Sequence, residues 1–83
     1  MNRLSKILET YFNGNITIAK NEFRLYRINS IEIVQCGELF GIRKTIKVLK
    51  TLGLSDKNII NSFHDYNRED IDEVKEILLN NFY

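Results

Sequence analysis

Arg43, Lys44, Lys47 and Lys50 form the densest collection of one chemistry in the chain. Their spacing of i, i+1, i+4 and i+7 brings them to one side of a helix, as a basic ridge. Clustered cations raise the local potential and attract phosphates or an acidic protein surface. Lys20, Arg24 and Arg27, earlier in the chain, are candidates to extend the ridge. Lys and Arg face solvent in most proteins, so a merely solvated helix face stays open beside the binding reading.

The inventory for catalysis is poor. There is one His and one Cys, with no phosphate-cradling glycine motif and no His or Cys ligand cluster. No catalytic residue, cofactor or metal is assigned, and the chain is not expected to be an enzyme. His64 falls at a helix end, where a cation suits the last carbonyls. Cys36 closes an apolar run and reads as a buried structural thiol, since nothing adjacent would lower its pKa. Asp65, Asn67, Glu69, Glu73 and Glu76 match positions 1, 3, 5, 9 and 12 of a calcium loop, but Asp70 stands where the sharp turn needs Gly.

Composition limits the partners and the architecture. The chain has 83 residues, 43% hydrophobic and 28% charged, and lacks Pro, which suits one globular domain over residues 1–83. The net charge of +1 conceals a division. Residues 1–53 hold nine Lys and Arg against four Glu; residues 54–83 hold three against seven Asp and Glu. No apolar run reaches membrane-spanning length, so no membrane partner is expected. A lone cysteine and no charged-then-apolar leader before Leu4 point to an intracellular, cytoplasmic location.

Positioning the ridge requires a scaffold. Leu4, Ile7, Leu8, Tyr11 and Phe12 form an amphipathic helical stripe ended by Asn13-Gly14-Asn15. Residues 16–20 and 23–28 alternate and are rich in β-branched or aromatic types, with Asn21-Glu22 between them, which predicts a hairpin. Residues 31–36 would add a third strand before Gly37. The next helix begins somewhere between Glu38 and Ile42 and runs to Leu52. Gly53 ends it, and Ser55 caps a short helix over residues 55–63. Asn67 caps a last helix over residues 68–80, whose stripe is Ile71, Val74, Ile77, Leu78 and Phe82. The expected fold class is therefore α+β: an N-terminal helix, a small three-stranded antiparallel sheet, then three C-terminal helices arranged like a helix-turn-helix.

Gly53, Leu54, Ser55, Ile59, Phe63, Glu69, Asp70 and Ile71 share their spacing with a known pattern. Through them, residues 53–74 resemble the C-terminal half of small bacterial antitoxin-like helix-turn-helix proteins. The resemblance implies toxin neutralisation or operator binding. Glu69, Asp70, Asp72, Glu73 and Glu76 make the last helix a poor visitor to DNA phosphates, so the basic ridge or the hairpin would make any such contact, with the acidic helix facing away or meeting a protein. The expected function is that of a small non-catalytic binding protein, antitoxin-like or a transcriptional regulator, with nucleic acid or an acidic protein as partner. An inhibitor from a virus or mobile element that blocks a host protein is the alternative, and a homodimer stays open as the assembly.

Overall fold

Asn2 opens the first helix by accepting the Ser5 backbone N–H at 2.9 Å, the capping bond that satisfies an otherwise orphaned donor. The computed structural model describes residues 2–82. From Asn2 the chain runs through α1 (Arg3–Phe12), α2 (Ile16–Leu25), α3 (Ser30–Phe40), α4 (Ile42–Thr51), α5 (Asp56–Tyr66), a 3-10 turn (Arg68–Asp70) and α6 (Ile71–Phe82). No strand occurs among the described residues.

The expected α+β fold with its three-stranded sheet is thus corrected to an all-helical one. Residues 16–20 and 23–25 lie in α2, and residues 31–36 lie in α3. Three physical reasons account for this. A two-residue hairpin turn needs left-handed backbone, and Glu22 after Asn21 is not the glycine that supplies it; among the described residues only glycines have positive φ. Ala19, Phe23 and Tyr26 recur at i, i+4 and i+7, and this face packs on the core while Leu25 and Ile28, the outer members of the apparent alternation, are exposed. Asn29 and Glu32, read as a turn and a strand position, instead occupy the N-cap and third position of α3, the spacing of a capping box. Asn29 Oδ1 accepts the Ile31 N–H at 3.3 Å.

α3 is the centre of the molecule, in contact with α1, α4 and α5. Its residues Ile33, Val34, Cys36 and Gly37 are all buried, so the apolar run covers most of the helix circumference and leaves only the stripe of Gln35, Glu38 and Leu39 exposed. A short apolar run of this kind has no periodicity with which to separate helix from strand. Gly37, expected to break a strand, lies inside α3 where it packs on Phe63 of α5. A Cβ built on it would lie 3.2 Å from Phe63 Cζ and 3.5 Å from Ile42 Cγ1. Gly41, at φ +93°, ends α3 and lets α4 leave in a new direction.

The remaining helices keep the expected apolar stripes with altered bounds: the helix expected over residues 55–63 runs on to Tyr66, and the last one, expected over residues 68–80, begins only at Ile71 after a 3-10 turn. Leu4, Ile7 and Leu8 of α1, Ile46 and Leu49 of α4, Ile59 and Phe63 of α5, and Val74, Ile77 and Leu78 of α6 fill one core. Gly53 turns the chain at φ +103°, and Ser55 Oγ accepts the Asn58 N–H at 3.2 Å to start α5. Asn67 precedes the 3-10 turn and bonds the Asp70 carboxylate through its side chain, without a side-chain cap to the backbone. Within the described residues no helix is long and apolar enough to cross a membrane.

Candidate functional site

The ridge on α4 divides in two. Arg43, Lys44 and Lys47 are exposed and line one shallow groove of about 430 Å³ together with Phe40, Ile42 and Glu73. Lys50, the fourth candidate, turns the other way. Its ammonium pairs with the Asp56 carboxylate at the start of α5 and lies 5.7 Å from the centre of the Phe82 ring. It ties α4 to its neighbours rather than facing a ligand.

Aromatic rings edge the cationic side of the groove. Lys44 Nζ sits 4.4 Å above the Phe12 ring, and Phe12 meets Phe40 edge to face at 5.3 Å. A ring face attracts a cation through its quadrupole, which restrains the otherwise flexible lysine stem. α1 and α4 thereby cooperate in one patch: a cation over an aromatic pair at the mouth of a groove with half-buried Phe40 and Ile42 in its wall.

The acidic helix does not lie far from this patch. α6 packs on α4 and brings Glu73 into the groove, and Glu76 lines a small neighbouring pocket with Arg43 and Asn80. Carboxylates this close lower the potential that a phosphate approaching the cations would meet.

Arg24 and Arg27 stand apart from the ridge. α2 packs principally on α1, so exposed Arg24 occupies another flank, and Arg27 lines a separate groove with Arg3, Ile28 and Tyr66. The hairpin that was to carry Lys20, Arg24 and Arg27 beside α4 does not form, and Lys20 too is an exposed residue of α2.

His64 is exposed in the last turn of α5 with its Nδ1 3.5 Å from Asp65. The carbonyl of His64 is bonded by Arg68 Nε at 3.2 Å, so Arg68 rather than the imidazole closes that helix end. Cys36 is buried in α3, where its thiol faces Asn2 Oδ1 at 3.8 Å and burial pushes its pKa up to about 12. That is the opposite of what a nucleophilic thiol needs. No group of three or more His, Cys, Asp or Glu among the described residues is placed to hold a metal ion.

A polar junction at the other end of α1 escaped the sequence reading. Glu32, buried in α3, accepts the Arg3 backbone N–H through Oε2 at 2.5 Å and the Tyr26 hydroxyl through Oε1 at 3.0 Å. Asn2 Nδ2 donates to the Glu32 carbonyl at 3.0 Å, and Tyr26 Oη accepts the Asn29 N–H at 3.0 Å. Burial and the neighbouring carboxylate raise the Tyr26 pKa well above that of an ordinary phenol. The capping-box spacing of Asn29 and Glu32 was the available signal, although Glu32 serves the N-terminus of α1 and not its own. Comparison with protein-family models, with curated proteins and with solved structures finds no match.

Proposed function

We propose that the chain is a small non-catalytic binding protein, antitoxin-like or a transcriptional regulator, that works inside the cell and engages an anionic partner through the α4 groove. The observation that supports this reading is the placement of Arg43, Lys44 and Lys47 side by side on an exposed surface, with Lys44 seated on Phe12. Three cations rather than four are available, because Lys50 is committed to Asp56. On duplex DNA, three phosphate contacts give a slope of log K against log salt of about −2.7.

A second reading, an inhibitor made by a virus or mobile element to block a host protein, is favoured by Glu73 and by the apolar wall of Phe40 and Ile42. A phosphate backbone gains nothing from either. A protein surface carrying both acidic and apolar side chains uses both.

Electrophoretic titration of duplex DNA at several salt concentrations, run beside pull-downs with and without nuclease, separates the two. The double variant Lys44→Glu with Lys47→Glu is expected to lose the partner in either case, and a protein partner survives nuclease. If the double variant keeps every partner of the parent, the α4 face is a solvated surface and the proposal fails.

A further inference from the structure

Two adjoining grooves, of about 450 and 400 Å³, lie at the end of α1 opposite to Phe12 and share Arg3 and Tyr26 in their walls. Leu25, the last residue of α2, is 88% exposed beside them, and Ile28 and Tyr66 are 46% and 54% exposed. None of these three is needed by the core. Around them stand Arg3, Lys6 and Arg27, all exposed, and the ion pairs that the described residues make include none of them. Glu22 is the one exposed acid in the two linings, because Glu32 is turned inward to the Arg3 N–H and the Tyr26 hydroxyl.

We infer that this surface, built from the start of α1, the end of α2 and the connection to α3, docks an acidic amphipathic helical segment of a partner protein. Charge complementarity selects the acidic partner: three unpaired cations ring an apolar patch whose own buried carboxylate is already satisfied. The exposed Leu25 and Ile28 select an amphipathic segment, since apolar anchors recurring at i, i+3 or i+4, and i+7 bury against such a patch while intervening Glu and Asp reach the cations. The Tyr26 wall is fixed beforehand by its bonds to Glu32 and Asn29, so little ordering is required on docking. Nucleic acid would leave Leu25 and Ile28 unused. The site is independent of the α4 groove, which lies by the far end of α1.

Titration of the ¹⁵N-labelled protein tests the inference, with a synthetic peptide carrying Leu at i, i+3, i+4 and i+7 and Glu between them. A scrambled peptide of the same composition and a short DNA duplex serve as the other arms. The helical peptide should shift the amides of Arg3, Leu25, Tyr26 and Ile28 more than the scrambled one. Leu25→Asp, a change at a solvent-exposed position that leaves the core intact, should weaken binding by about tenfold or more. Lys47→Glu should leave the peptide-induced shifts of Arg3, Leu25, Tyr26 and Ile28 unchanged whatever it does at α4, so failure at this site is distinguishable from failure at α4. No shift of those amides at millimolar peptide, equal shifts from the scrambled peptide, or tighter binding of DNA at the same amides would each overturn the inference.

Discussion

Glu32 shows how one side chain can hold three helices in register. A buried carboxylate is costly unless its oxygens are bonded, and here one takes the first N–H of α1 while the other takes the Tyr26 hydroxyl at the exit of α2. The negative charge also sits at the positive end of the α1 dipole. Glu32→Ala is expected to cost about 2 kcal/mol in urea denaturation, because it strands the Arg3 N–H and leaves the Tyr26 hydroxyl only the longer bond to the Asn29 carbonyl, at 3.4 Å. Glu32→Gln keeps one acceptor and should cost visibly less; equal losses would mean that packing, not hydrogen bonding, fixes this position. The same junction sets an alkaline limit. Cys36 and Tyr26 both ionise with more difficulty in the folded chain than in the unfolded one, because burial opposes their charged forms. A raised folded pKa contributes stability that is fully present below the unfolded value and is lost as pH rises through the folded one. For Cys36 the window runs from its ordinary value of 9.0 to about 12. Urea midpoints should therefore be level from neutral pH to about 9 and fall above it. Cys36→Ala should flatten part of that fall, and an unchanged slope would assign the loss to other groups.

At the scale of elements, the helices whose apolar and polar residues separate cleanly at a period of 3.6 were legible and the other two were not. The stripes of α1, α4, α5 and α6 each leave charged residues on the opposite face, so their period of 3.6 shows directly in the residues. α3 has little such contrast, because it packs on three neighbours, its Glu32 is buried with the apolar residues and its narrow exposed face includes Leu39 beside Gln35 and Glu38. α2 misled for another reason. Ile16, Thr17 and Ile18 favour strands only by a fraction of a kcal/mol per residue, which packing of Ala19, Phe23 and Tyr26 on α1 outweighs. The candidate site shared this fate: the part of the ridge on α4 is brought together, while the part assigned to a hairpin is carried away on α2. Lys50 could not be separated from its neighbours by spacing, since its partner Asp56 lies beyond a turn. Gly37 gives the sharpest test of the α3 assignment. Alanine there would gain about 1 kcal/mol of helix propensity. Its methyl would also stand 3.2 Å from Cζ of the fully buried Phe63 ring, which would have to shift by a few tenths of an ångström to admit it. Overpacking of this kind costs about 1–3 kcal/mol, so Gly37→Ala should lower the melting temperature. A raised melting temperature would show that the Phe63 ring gives way.

Across the whole molecule, charge and stability are distributed differently from the chain that carries them. The sequence divides into a basic first part and an acidic last part, yet folding sets acidic α6 against basic α4, so opposite charges become neighbours and not poles. What remains unbalanced is the flank of α1 and α2, where Arg3, Lys6, Arg24 and Arg27 are all exposed. That flank is also the least anchored. α2 leans principally on α1 and fully buries Ala19 alone, whereas α3 packs on α1, α4 and α5 through buried Ile33, Val34 and Cys36. Few buried apolar contacts imply a low local opening free energy, so α2 should unfold separately from the remainder under native conditions. In hydrogen exchange the amides of α2 are expected to be about tenfold or more less protected than those of α3, and α3 and α5 should exchange together through global unfolding. Equal protection of α2 and α3 would mean that the six helices open as one unit. A partner that docks on the α1 and α2 flank binds the closed form only, so it must raise α2 protection selectively and leave α3, already limited by global unfolding, to rise only with the stability of the whole.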